Sequence, residues 1–346
     1  MKNFAVFIDE PYKVRLGEID MPVPEQDQAL VEVLYGGVCG SDFKVYLGKM
    51  NNVTYPKIAG HEFSGKIIEV GENDVGLKPG MIVTSTPYYG CGSCYCCKKG
   101  WFNCCQKNQT MGVGRDGGFR KFINIPIEKI CDGKGIPART LAMIEPFANS
   151  LNLIKRIDVK AGETMLIFGS GPIGVFAMLA AKQRGAVVHL ADVSDARLKF
   201  AAMMGADGTV NVKNKALSEY VTEQTGDEGF NVTVEAVGSG DVFKDCISAV
   251  SFHGRVCVIG MTTTDYSFNH SIISFKEISL VGARNSTRRD FLDLIDLVSS
   301  GRMDIEVLNK MATKEYYFSD AVSMYKDLES IYTENMKVII NFQERK

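Results

Sequence analysis

The sequence predicts an α/β chain in two parts: a β-rich, barrel-like domain at the N-terminus, then a doubly wound parallel sheet. Two observations carry this. Residues 1–146 hold short strand patterns divided by Gly and Pro, with no long helical periodicity. From Thr164 onward, apolar strands alternate with helical stretches.

Ala29–Leu34 and Phe63–Val70 read as strands of the first domain. Thr164–Phe168 is a continuous apolar strand, followed by a glycine-rich turn, a helix to about Arg184 and a strand at Val187–Ala191. Phe230–Ala236, Gly254–Gly260 and Ile278–Ala283 read as further strands, and the spacing implies six in all. Thr287–Ser300 reads as an amphipathic helix and Met336–Phe342 as a closing strand. The expected domains are therefore 1–146 and 147–284, with 285–346 returning to the first. A ligand site is expected in the cleft between domains.

At 346 residues the chain can bury two cores. Its 45% hydrophobic and 23% charged residues are a globular balance. A net charge of −2 offers no field for nucleic acid or an anionic membrane. No apolar run approaches the roughly 18–20 residues of a membrane span. Met1–Glu10 is too short and too soon charged to read as a secretory leader. The expectation is a cytoplasmic protein with neither nucleic acid nor membrane as partner.

Cys91, Cys94, Cys97 and Cys105 form two Cys-x-x-Cys steps and one longer excursion. That spacing lets one loop close four thiolates on a structural Zn²⁺ with no open position. A disulfide knot belongs to small secreted chains instead. Cys96 and Cys104 are surplus to the tetrahedron, and Cys131, Cys246 and Cys257 are scattered as buried thiols would be. Trp101 lies within the lobe and reads as structural.

Gly169-Ser-Gly171-Pro172-Ile173-Gly174 between strand and helix is a G-x-G-x-x-G in full context. Gly169 allows the tight turn, Gly171 the approach of a pyrophosphate, and Gly174 close helix–strand packing. The helix start offers free N–H groups to phosphate, and Pro172 is tolerated there. Asp192 ends the second strand, where a carboxylate accepts ribose hydroxyls and repels a 2′-phosphate, favouring NAD over NADP. Arg197 reads either as a ribose contact or as a solvated helix charge. Val237, Ile259, Gly260 and Ala283, at the ends of later strands, are expected on the nicotinamide side.

Three segments of the first domain carry chemistry: Cys39-Gly-Ser41-Asp42, Gly60-His61-Glu62 and Met143-Ile-Glu145-Pro. They supply a thiol, a hydroxyl, an imidazole and carboxylates. A thiolate, a neutral imidazole and a carboxylate together neutralise Zn²⁺ and leave a fourth position for substrate oxygen. Lys44, Arg115, Arg120, Arg284, Arg288 and Arg289 are cationic candidates for an anionic substrate group.

At these motifs, together with Arg115–Phe119, the chain resembles the medium-chain zinc-dependent alcohol and polyol dehydrogenases along nearly its whole length. Glu in the Ile-Glu-Pro segment, Asn103–Cys105 and Gly282–Thr287 are similar to the sorbitol, threonine and sugar-acid branch, including bacterial L-galactonate-type oxidoreductases. The resemblance implies a GroES-like catalytic domain beside a Rossmann domain. It implies a catalytic zinc on Cys39, His61 and either Glu62 or Glu145, a structural zinc on the four-cysteine lobe, and NAD. It also implies proton transfer through Ser41, a supporting role for Asp42 behind His61, and a homodimer or homotetramer. Lys44 stands where the family commonly has a relay His. The implied activity is hydride transfer between a secondary alcohol of a sugar acid or polyol and NAD. A threonine- or sorbitol-type dehydrogenase is the alternative substrate class, and a non-catalytic NAD-binding zinc protein the alternative of another kind.

Overall fold

The computed structural model describes residues 2–50, 53–327 and 335–344. The chain forms two compact units, Met1–Glu145 with Ser286–Lys346, and Pro146–Asn285.

Strand Gln28–Val38 organises the first unit. Along one edge it pairs antiparallel with Glu62–Val70. Its other edge is shared: Phe122–Pro126 takes the first half and Lys337–Asn341 the second. Ile82–Ser85 and Ile130–Asp132 extend the sheet on one side, and Ala312–Tyr317 on the other, giving seven strands. The ladder to Glu62–Val70 slips at Leu30/Val31 and again at Val33/Tyr35. Such bulges bend a strand and strengthen its twist. Asn3–Glu10 lies between Lys13–Ile19 and Lys57–Ile58 in a second, three-stranded sheet, and an isolated bridge from Ala5 to Arg120 ties it to the rest of the unit. Val6, Ile8, Val31, Phe63, Phe119, Ile125, Tyr325 and Ile340 belong to the core. The closing strand is buried at all five positions, which explains its unbroken Val-Ile-Ile run.

The second unit is a six-stranded parallel sheet. Its spatial order is Gly208–Asn211, Val187–Asp192, Thr164–Phe168, Phe230–Glu235, Val250–Val258, Ser279–Gly282. The order reverses at the strand that precedes the glycine-rich turn, the place where open α/β sheets bind ligands. The helix Pro172–Lys182 buries Val175 through Ala181, so its apolar run is a core helix. Two strand boundaries differ from expectation. Gly208–Asn211 is only four residues long and carries too little pattern to read. The strand expected to begin at Gly254 begins at Val250. Its register jumps from Phe230↔Val250 to Val232↔Arg255, and His253 takes a φ of 59° inside that irregularity. The His-Gly pair therefore reads as a strand break although it is a bulge.

Among the described residues, no helix is long and apolar enough to cross a membrane.

Candidate active site

A single buried carboxylate assembles the first unit's reactive segments. Asp42 is fully buried. Its Oδ2 accepts the Cys39 N–H at 2.9 Å and its Oδ1 the Gly60 N–H at 3.1 Å. The helix Gly40–Tyr46 and the loop before Glu62–Val70 are thereby tied to one side chain, and Cys39 becomes the helix N-cap. The Asp116–Phe119 segment holds the same loop from the other side. Gly117, Gly118 and Phe119 donate to the carbonyls of Ile58, Gly60 and Ala59. A Cβ on Gly117 would lie 2.3 Å from two of those carbonyl oxygens, so only glycine permits this approach.

The consequence is that Cys39, His61 and Glu62 place one ligand atom each within 4.8 Å of one another. Ser41 Oγ lies 3.3 Å from His61 Nε2. Asp42 faces His61 Nδ1 at 3.7 Å. His61 Nδ1 and Glu62 Oε1 are buried with no hydrogen-bond partner, an arrangement that a bound cation would satisfy. Burial disfavours an imidazolium at His61, but the charges of Cys39 and Asp42 outweigh it and hold its pKa well above the ordinary value. Burial pushes the Asp42 carboxyl up, against the opposing pull of His61 and the backbone donors. The pocket attracts positive charge, and its thiolate, imidazole and carboxylate donors fit a three-ligand zinc site.

The two candidate acidic ligands are separated by their partners. Glu62 joins the cluster, while Glu145 Oε1 accepts a hydrogen bond from the buried Tyr88 hydroxyl. Glu62 Oε2 is engaged by the Lys337 ammonium, itself buried in the closing strand. Burial pulls Lys337 down, yet Glu62 and Cys39 raise its pKa overall. Tyr88 and Lys337 carry no motif, and only a lysine set in an apolar strand could have signalled the second.

The four-cysteine lobe is assembled as its spacing predicts. The Sγ atoms of Cys91, Cys94, Cys97 and Cys105 lie within 4.8 Å of one another. Backbone N–H groups of Cys94 and Lys107 point at Cys91 Sγ and Cys105 Sγ, at 3.4 and 3.3 Å. Hydrogen bonds from Ser93 and the backbone draw the Cys91 thiol down to about 6. All ten cysteines are free thiols. The lobe fits a structural zinc. Trp101 is half exposed, its ring 5.9 Å from that of Tyr95 in an edge contact.

In the second unit, Gly169 has a φ of 102°, and Gly171 caps the helix that begins at Pro172 and Ile173. A Cβ on Gly174 would lie 1.9 Å from the Gly169 carbonyl oxygen, so helix and turn touch directly. Asp192 does more than the sequence suggests. Its carboxylate accepts from Ser170, Val193 and Ser194 N–H groups at 2.7, 2.7 and 3.0 Å, locking the glycine turn to the next strand. Arg197 reaches over that turn, its Nη1 3.9 Å from where a Gly171 Cβ would stand. Val237, Ile259, Gly260 and Ala283 all follow the C-terminal ends of their strands. Glu235, which no motif singles out, is buried beneath them and accepts from Val237 and Gly238 at 2.8 and 2.6 Å.

Several cationic candidates are engaged elsewhere. Arg288 donates to the Ile130 carbonyl, Arg289 pairs with Asp293, Arg120 donates to the Gly117 carbonyl, and Arg115 lies 3.6 Å over the Tyr89 ring. Lys44 is exposed on the helix Gly40–Tyr46.

Both units are similar to known proteins. Residues 25–134 match the alcohol dehydrogenase GroES-like domain family, and residues 172–300 the zinc-binding dehydrogenase family. The chain is 30% identical to the L-galactonate-5-dehydrogenase of Escherichia coli strain K12, covering 99% of this chain and all of the relative. It is 32% identical to the sorbitol dehydrogenase of Halalkalibacterium halodurans, covering 92% of this chain and 93% of that one. A solved structure from E. coli CFT073, a short chain alcohol dehydrogenase complexed with cofactor NADH, superimposes with a TM-score of 0.90 at 27% identity over 99% of both chains. Agreement of this kind, end to end and in both units, makes the chain a member of the zinc-type medium-chain dehydrogenases, oxidoreductases that act on alcohols.

Proposed function

We propose that this chain is a zinc-dependent dehydrogenase that transfers hydride between a secondary alcohol of a sugar acid or polyol and NAD(H). The observation that carries the proposal is the buried cluster of Cys39, His61 and Glu62, two of whose polar atoms lack a hydrogen-bond partner. Zinc held there supplies Lewis acidity toward a substrate hydroxyl, and NAD the hydride acceptor.

The protein's own groups then have separate tasks. Cys39, His61 and Glu62 bind the metal; Glu145, held by Tyr88, stands beside them. Asp42 fixes the loop that carries His61. Ser41, beside His61, would relay the hydroxyl proton, accepting it as its own Oγ–H proton passes to water. Asp192 orders the glycine turn that would receive the pyrophosphate, and its carboxylate would be the acceptor for the ribose hydroxyls. The cofactor carries the hydride chemistry; the chain positions it and supplies charge. The relatives named for L-galactonate and sorbitol support a polyhydroxylated substrate. Lys44, exposed and without an ion pair among the described residues, is our choice for meeting a substrate carboxylate.

The intact donor set argues against a non-catalytic NAD-binding protein. Ten free cysteines suit a reducing compartment and support a cytoplasmic location. A homodimer or homotetramer fits the exposed edge strand Ser279–Gly282 and the exposed Phe252–Phe275 pair, rings 5.4 Å apart. The test is NADH formation across hexonates, neutral polyols and threonine, with and without a zinc chelator. Chelator-sensitive turnover of a hexonate is expected. Turnover of threonine alone would discard the sugar-acid and polyol assignment.

A further inference from the structure

Lys337 is an expensive residue to place where it is. Its side chain is 3% exposed, and that of Glu62 is fully buried. A buried ammonium is retained only when paired and hydrogen-bonded. Both conditions are met on one side of the donor cluster. Nζ engages Glu62 Oε2 and donates to the Val38 carbonyl at 2.9 Å. The topology enforces this. Lys337 opens the strand that pairs Val338 with Val38, and Gly37 of the same central strand pairs with Glu62 on the opposite edge. Gly37 clears the remaining space: a Cβ there would lie 2.2 Å from Glu62 Oε2. One carboxylate oxygen is therefore fully occupied. The other, Oε1, is buried without a partner and belongs to the group that gathers Cys39, His61 and Glu62.

We infer that Lys337 is a built-in counter-ion, a positioning residue that holds the Glu62 carboxylate in place and aimed at the metal site whether or not the metal is present. This rests on reading Cys39, His61 and Glu62 as the zinc donors. Without Lys337, the buried Glu62 carboxylate of the empty site would lose the ion pair it makes among the described residues, and the loss would fall on the metal-free protein. With zinc bound, the ion itself supplies the missing charge. Lys337 thus occupies Oε2 and leaves Oε1 to the metal site.

Linkage makes this testable without activity. The chain is stripped with a chelator until only the four-cysteine lobe retains zinc, and its thermal midpoint is compared with that of the fully loaded protein. Lys337→Met is expected to lower the midpoint of the stripped form by several degrees and that of the loaded form by less than half as much. Lys337→Arg is expected to restore most of the difference. Equal losses in both forms would make Lys337 an ordinary structural residue and overturn the inference.

A second variant covers the case in which Lys337→Met does not fold. Glu62→Gln leaves Lys337 unpaired beside the site, so zinc affinity there, measured by competition with a chromogenic chelator, is expected to fall roughly tenfold or more. Combining Glu62→Gln with Lys337→Met removes the repelling cation and is expected to recover part of that affinity. A double variant that binds no better than Glu62→Gln alone overturns the counter-ion role while leaving the zinc reading intact. A Glu62→Gln variant with unchanged zinc affinity overturns the reading of Glu62 as a donor, and the inference with it.

Discussion

At the scale of single residues, similar-looking groups are given different tasks by their surroundings. Ser41, 3.3 Å from His61, is expected to lower kcat by about 10²-fold when changed to Ala, with zinc content unchanged, if it relays the proton as proposed. Gly171 and Gly174 separate fold from binding. A Cβ at Gly171 meets nothing closer than Arg197 Nη1, whereas one at Gly174 strikes backbone. Gly171→Ala should therefore keep wild-type stability and lose NAD affinity by about tenfold or more, as the pyrophosphate loses its approach. Gly174→Ala should cost about 1–3 kcal/mol of stability, read by denaturant unfolding. His189 gives a pH prediction. It is buried and bonded to the Tyr220 hydroxyl at 2.7 Å, and burial holds its pKa below the ordinary value. The unfolded state then binds the proton more readily, so stability rises with pH across the window between the two pKa values. The contribution is complete above about 6.5 and declines as pH falls from there through the folded value. Thermal midpoints should drop on acidification over this range, and His189→Gln should flatten the drop.

At the scale of elements, spacing was informative wherever local chemistry closes on itself. The cysteine lobe, the glycine turn and the helix Arg288–Ser299, with its Thr287–Asp290 capping box, are each specified within a few residues. Cys94→Ser should release the lobe's zinc and leave the other site loaded, as metal analysis and protease sensitivity of residues 90–110 would report; loss of both ions would show that the lobe supports the catalytic site. Elements were less legible where neighbours decide. Gly208–Asn211 is a strand only because it joins Val187–Asp192, and the bulge at His253 conceals the first half of Val250–Val258. Propensity cannot report a pairing partner distant in sequence.

At the scale of the whole molecule, the first unit closes through its last strand. Lys337–Asn341 sits between Gln28–Val38 and Ala312–Tyr317, not at an edge. Deleting residues from Met336 onward should therefore unfold the first unit and abolish catalytic-site zinc, whereas removal of Gln343 and Glu344 should be tolerated; circular dichroism and metal content distinguish the two.

The sequence by itself determined the two fold types, the four-cysteine lobe, the nucleotide turn and the residue types of the donor cluster, because each depends on periodicity or short-range spacing. Only the tertiary structure decided between Glu62 and Glu145 as the clustered carboxylate, tied Asp192 to Ser170, engaged most of the arginine candidates elsewhere, and brought Lys337 to Glu62. Those outcomes depend on which buried group finds which counter-charge, and the pairing of Val338 with Val38, some 300 residues apart, sets that choice for Lys337.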